Sequence, residues 1–408
     1  MPRILHTSDW HLGAIFHGVD RAADELAAID ALVRLCSERA VDAVIIAGDV
    51  FDTANPGAAE VKRWYDAVLR LVREGGVGSV VAIGGNHDSG ARLDGPRELL
   101  AACQVTVRGT LPLDAAPADC LVPLLDRAGK PFALCAAIPY LRETDLRMPP
   151  GDAAISVRQA AAMQERCAGI RAAALERAAG APLVVTAHAF ARGGSVDGSE
   201  RAVFGQVDAV GSLGQVDAAC LVDGAAYAAF GHLHRPQRVG GREHWRYCGS
   251  LLPSSFNGTP GGAVLATITG PGPATVETLA LPAFRRYCEL AGSPDELRAA
   301  ISALPAAPPG EGEPLLLARV RLAGERHGVA AEVAAWARER GWLAVRVLRE
   351  AVQTAAPGAI APVPIEELRP LDVFRAAHRA GFGGNEPSGE LLAAFAGLLE
   401  DERAGRAE

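Results

Sequence analysis

Arg3-Ile4-Leu5-His6-Thr7-Ser8-Asp9-Trp10-His11 is the stretch on which the fold turns. Its first five residues have the length and apolar character of a strand, and an acid and an imidazole, two residues apart, follow where the strand ends. Sheets of α/β proteins present ligands beyond the carboxyl ends of their strands, so the stretch reads as a strand delivering chemistry to a sheet edge. The same pattern recurs outward from it. Strands are expected at 43–47, 79–83, 132–136, 183–186 and 226–230. Between the first two, Leu26, Ile29, Leu32, Val33 and Cys36 recur at helical spacing within 20–39 and predict one buried stripe. Further helices are expected at 56–73, 96–103 and 152–179. The alternation predicts an α/β layered sandwich, with central β-sheets flanked by helices.

Glycine and proline thicken over 258–273, around strands expected at 263–268 and 275–279 that close a first domain, 1–280. A β-α-β-α-β order follows, with strands at 285–290, 315–322 and 344–348 and helices at 294–303 and 329–340. It predicts a small α/β domain over 281–352, with 305–314 as an internal loop. Past a proline-rich linker at 357–364, helical patterns at 370–379 and 388–403 predict a helical C-terminal tail over 365–403.

Composition removes other classes. The 408 residues are 49% hydrophobic and 22% charged, with a net charge of −8, which excludes disorder, collagen and coiled coil. No apolar run approaches the roughly 20 residues a membrane helix needs, and no cleavable leader opens the chain, so a cytoplasmic protein without a membrane role is expected. Cys36, Cys103, Cys120, Cys135, Cys167, Cys220, Cys248 and Cys288 form no C-x-x-C pair and are expected to be reduced, mostly buried thiols. The net charge argues against a wholly basic nucleic-acid wrapper. Only Lys62 and Lys130 are lysines, and Gly129-Lys130 lacks the remaining features of a phosphate-binding loop. Any ATP-driven work therefore needs a partner's ATPase.

The chemistry lies in Asp9-Trp10-His11, Gly48-Asp49-Val50-Phe51-Asp52, Gly85-Asn86-His87-Asp88, His188 and Gly231-His232-Leu233-His234. In extended backbone, residues two apart share a face, so Asp9 with His11 and His232 with His234 each make half a metal site. Asp49, between a buried strand and a loop, can bridge two cations, and Asn86 offers a neutral oxygen. Two divalent cations less the charges of Asp9 and Asp49 leave +2, which matches one phosphodiester and one attacking hydroxide. Mixed imidazole and carboxylate donors suit manganese, iron or zinc better than magnesium. His87 projects beside the metals, placed to protonate a leaving oxygen, with Asp88 or Asp52 to orient it. Trp10 and Phe51 are expected to pack beneath the ligands. Arg92, Arg192, Arg201 and Arg235 lie near enough to meet phosphate.

These motifs resemble those of calcineurin-like metallophosphoesterases. More narrowly, 6–13, 47–53, 85–89, 231–235 and Arg246-Tyr247-Cys248-Gly249-Ser250 with Ser255-Phe256 resemble the SbcD family, nuclease subunits of bacterial SbcCD complexes, strongly over 1–280. The resemblance implies one metal on Asp9, His11, Asp49 and His234, and another on Asp49, Asn86, His188 and His232. His87 and Asp88 are the implied catalytic residues and two Mn2+ the implied cofactors. The implied work is cleavage of DNA in repair, recombination and replication, by a 3′-to-5′ exonuclease on double-stranded ends and an endonuclease on single strands and hairpins. ATP hydrolysis is assigned to the SbcC partner. Residues 281–352 resemble the family's capping domain, and the tail its SbcC-docking segment. A homodimer within a heterotetramer is implied, through helices at 59–73 and 96–103, with Trp64, Tyr65, Val68 and Leu69 as contacts. Asp52 departs from archaeal and eukaryotic relatives, which often carry histidine there. A small-molecule phosphodiesterase, a pyrophosphatase or a protein phosphatase on the same core would use nearly the same ligands; the Trp10 motif, the cap and the tail argue against them.

Overall fold

Strands buried on both faces read as unbroken apolar runs, and Arg3–Thr7, Ala43–Ile46 and Ser79–Ile83 are such runs at the middle of the six-stranded first sheet. Arg3–Thr7, Ala43–Ile46, Ser79–Ile83 and Val105–Arg108 run parallel, while Gly262–Thr267 pairs antiparallel with Arg3–Thr7 and carries Thr275–Ala280 at the edge. A second six-stranded sheet runs in the order Gln237–Val239, Arg242–Tyr247, Tyr227–Gly231, Leu183–His188, Pro131–Ile138, Leu121–Leu125, its middle four strands parallel. This computed structural model describes all residues except 152–154, 192–193, 196–214, 257–260, 283, 307–311, 323–326, 352–369, 382–384 and 406–408. The 357–364 linker and the start of the tail fall outside the described residues.

Alternation of side chains along the strands sorts the core into layers. Ile4, Ile45, Val81 and Ile83 of the first sheet meet Ala133, Cys135, Val184 and Ala229 of the second. Leu5, Val44 and Ile46 turn instead to the helices Ala22–Glu38 and Ala58–Arg73, and Val185 and Phe230 to the layer of Ile155–Ala178. The result is a helix–sheet–sheet–helix sandwich. Polar pairs also tie the two sheets, among them His6 Nδ1 and the Tyr227 hydroxyl, which share a buried hydrogen bond of 2.9 Å.

Two expectations are corrected. Leu26 is 48% exposed, because the buried face of its helix is carried by Ala28, Ile29, Ala31, Leu32, Val33 and Cys36. Trp64 and Val68 do not offer a dimer face, since both are buried in this chain's own core and Trp64 stands edge-on to Trp10, with ring centroids 5.8 Å apart. Tyr65 and Leu69 are half-buried, and Tyr65 also packs against that core. All eight cysteines are free thiols, five of them buried.

Residues 1–350 form one unit. Within it Tyr287–Gly292 runs parallel to Leu315–Leu322 in a three-stranded sheet completed by Leu343–Ala351. One face is covered by the helices Pro294–Ser302, opened by a Ser293/Glu296 capping box, and Val329–Glu339. The other places Leu315 and Leu317 against Phe16 and Phe256. Phe16 belongs to a short hairpin, Ile15–Phe16 with Val19–Asp20. In the second unit, Pro370–Gly381 and Gly389–Gly405 are helices, with Phe374 stacked on Phe395 at 4.2 Å. No helix among the described residues is long and apolar enough to cross a membrane.

Candidate metal centre

The ligand-bearing loops continue the strands that precede them. Asp9 N–H donates to the Gly48 carbonyl, His11 N–H to that of Asp49 and Leu12 N–H to that of Val50, so the first two motifs lie side by side like paired strands. Leu251 N–H donates to the Asp9 carbonyl and Ser250 N–H to that of His234, which ties in the last motif and the 246–250 segment. Asp9, His11, Asp49 and His232 have φ of 52°, 45°, 49° and 101°, in the left-handed region. Strained conformations of this kind cost about 1–3 kcal/mol each and persist where surrounding structure enforces them, often at functional sites. Glycine makes the approach possible. A Cβ on Gly48 would lie 2.2 Å from His188 Nδ1, and one on Gly231 1.8 Å from the Ala47 carbonyl.

Every sequence-predicted ligand reaches this edge. His11 Nε2 lies 3.1 Å from His234 Nε2 and 3.8 Å from Asp49 Oδ2, and His188 Nε2 lies 3.4 Å from the same oxygen. Asn86 Oδ1 is 2.9 Å from both His188 Nε2 and His232 Nδ1. Asp49 Oδ2 thus stands between the His11 and His188 rings. Donor atoms of Asp9, His11 and His234, and of Asp9, Asp49 and His188, gather within 4.8 Å of one another.

The electrostatics call for positive charge. Burial, reinforced by Asp49, raises the Asp9 carboxyl to about 7, although His188, Ser8 and the His232 N–H oppose this. Burial pushes His188 the other way, yet Asp49, Asp9 and the Ala47 carbonyl outweigh it and raise the imidazole to about 9. The same imidazole contributes, with His11, to pulling Asp49 far below the carboxylate range against its own burial. Burial and the charge of His188 lower His232 to about 3, and burial lowers His11 despite Asp49. His188 Nδ1–H donates to the Ala47 carbonyl at 2.8 Å, which turns Nε2 toward Asn86 and Asp49. Facing lone pairs, buried carboxylates and a ring fixed by a backbone carbonyl make a donor set that fits divalent cations.

His87 and Asp88 part company. The His87 ring stands edge-on to His11, centroids 4.7 Å apart, and its Nδ1–H donates to the Asp52 carbonyl at 2.9 Å. Asp88 does not reach that ring. It is buried, and its oxygens accept the Val50, Phe51 and Gly85 backbone N–H groups at 3.0, 2.9 and 2.9 Å. In the structure this carboxylate staples the loop of Asp49 to the loop of Asn86. The Asp52 side chain lies 3.6 Å from His11 Nδ1 and 3.9 Å from His87 Nδ1. Trp10 and Phe51 are buried beneath the loops, with Trp10 Nε1–H donating to Thr7 Oγ1. Arg92 pairs with Asn55, Arg235 is exposed, and Arg192 and Arg201 lie outside the described residues. Sequence reasoning missed two supporting groups. Ser8 Oγ, which donates to Asp9, was visible as a hydroxyl beside a ligand; the Ala47 carbonyl is a backbone atom with no sequence signal.

Residues 2–236 match the family model described as calcineurin-like phosphoesterase. The chain is similar to the SbcD subunit of the nuclease SbcCD of Rhodobacter capsulatus, 33% identical over 401 residues that cover 92% of this chain and 94% of that protein. It is 36% identical to the Escherichia coli K12 protein of the same name over 262 residues, 62% of each chain. Identity to the Bacillus subtilis protein is 32% over 267 residues, 62% of this chain and 63% of that one.

Proposed function

The chain belongs to the calcineurin-like phosphoesterases and, within them, to the SbcD family of metal-dependent nucleases, and from that premise we propose that it hydrolyses DNA phosphodiesters at a two-cation centre. The observation that carries this reading is the convergence of six donor residues around one carboxylate, Asp49. Asp9, His11 and His234 hold one cation with Asp49; Asn86, His188 and His232 hold the other. Bound there, divalent cations lower the pKa of an attacking water and offset the charge of the phosphoryl oxygens. Mixed imidazole and carboxylate donors favour manganese over magnesium.

His87 serves as the catalytic residue. With its Nδ1 proton committed to the Asp52 carbonyl, Nε2 is the nitrogen left to carry a proton to the leaving oxygen. Asp52 positions that ring through its backbone. The proposed activities are endonuclease cleavage of single strands and hairpins, and 3′-to-5′ exonuclease action on double-stranded ends when an SbcC ATPase assists. In this reading 281–352 caps the DNA and 365–403 docks on SbcC. A homodimer within the heterotetramer uses Tyr65, Leu69 and the exposed Leu99.

The test is digestion of end-labelled single-stranded and hairpin DNA by the full chain without ATP, in Mn2+, in Mg2+ and in chelator. Cleavage in Mn2+ that chelator abolishes is expected. No DNA cleavage, with hydrolysis of a small phosphodiester instead, would leave only the phosphoesterase core standing.

A further inference from the structure

A cavity of about 210 Å³ opens beside the metal centre, and its lining mixes two chemistries. Its lining includes Asp9, His11, His87 and His234 of the centre and, with further polar groups such as Arg21 and Asp52, the apolar Ala14, Ile15, Phe16 and Leu252. Ile15 is 61% exposed, an apolar side chain held in solvent next to charged and imidazole groups. It is not loose. Its neighbour Phe16 is buried against Phe256 and Tyr287, with centroids 5.2 and 5.5 Å away, and the Arg21 guanidinium lies 5.1 Å over its ring. Ile15 itself pairs with Asp20 across the hairpin, whose entry is secured by Gly13 N–H donating to buried Glu25. A rigid exposed apolar surface that adjoins a reaction centre costs solvation in the free protein, and covering it with a ligand recovers that cost.

Resting on the nuclease reading above, we propose that Ile15, backed by Phe16 and Leu252, is a shelf for the nucleobase next to the scissile phosphate. The cavity is open to solvent and continuous with the ligands that receive the phosphate. The shelf offers apolar contact where a base has its π-face, which every base shares, so the contact positions the cut strand without selecting sequence. Ile15 acts through substrate position, not through proton transfer.

The test uses the full chain in Mn2+ and a single-stranded oligonucleotide with one natural phosphodiester among methylphosphonate linkages. The two nucleotides beside that bond are either intact or, one at a time, abasic. On the intact strand Ile15→Ser should lower kcat/KM by about 5- to 100-fold, and Ile15→Leu should restore it. On one of the abasic strands, wild type and Ile15→Ser should be equal, because the group that Ile15 touches is gone. The same factor on intact and both abasic strands would overturn the shelf and leave the nuclease reading in place, as would no effect on any of them. A wild-type protein that cuts none of these strands, nor natural single-stranded DNA, would overturn both.

Discussion

Asp88→Asn separates a structural carboxylate from a catalytic one. In the native protein its two oxygens accept three backbone N–H groups at 2.9–3.0 Å in a site closed to water. Asparagine keeps one oxygen, enough for the two bonds that Oδ2 makes, and turns an NH2 toward the Phe51 N–H. One buried donor then loses its partner and faces another donor, and the remaining bonds lose their charge. Unsatisfied buried donors cost about 1–3 kcal/mol and bonds to charged groups contribute about 1.5–3 kcal/mol, so a destabilisation of about 2–4 kcal/mol is expected. Urea unfolding measures it. The loops of Asp49 and Asn86 should loosen together, so turnover should fall while the pH–rate profile of DNA cleavage keeps its shape. Unchanged stability together with a displaced limb of the profile would refute the staple and return Asp88 to proton transfer.

His87→Ala should lower the DNA cleavage rate by about 10²–10⁴-fold while Mn2+ titration calorimetry shows binding unchanged, since the proposed role of the ring is proton transfer; weakened binding would instead make it a ligand with His11 and Asp52. Gly48→Ala would press a Cβ into His188 at φ +95°, so the ring must leave the Ala47 carbonyl, and Mn2+ affinity should drop about 10–100-fold by the same calorimetry. Burial lowers His6 from 6.5 to about 3, with the Arg246 charge adding to it and the Phe230 backbone opposing. Between those values the unfolded chain binds the proton and the folded one does not, so this contribution is complete above 6.5 and is lost as pH falls toward 3. About 2 kcal/mol should be lost by pH 5, a slope that urea titrations should find in wild type and missing in His6→Gln.

Strands with both faces buried were the legible part of the fold. Arg3–Thr7 and Ser79–Ile83 have the bounds their apolar runs predict. Other strands hid for identifiable reasons. Arg242–Tyr247 turns only Trp245 and Tyr247 fully inward and is otherwise polar or charged, Leu121–Leu125 holds Pro123 at the sheet edge, and short Val105–Arg108 buries only Val105 and Val107, which alternate with Thr106 and Arg108. At the site, ligand types and spacing were legible, but the backbone that brings them together was not: the motifs read as extended, whereas Asp9, His11 and His232 take left-handed conformations. Nor was the use of Asp88 legible, because its partners are backbone N–H groups of Val50, Phe51 and Gly85, which any side chain there would supply. The Ile15–Phe16 hairpin escaped notice for a related reason: its place beside the centre depends on Phe256 and Tyr287, more than 200 residues away.

The central claim is that Asp49 stands between two cations, and anomalous diffraction from Mn2+-soaked crystals of the full chain tests it most directly. Two peaks are predicted, one among Asp9, His11 and His234 and the other among Asn86, His188 and His232, both adjoining Asp49. A single peak, or peaks away from Asp49, would contradict it.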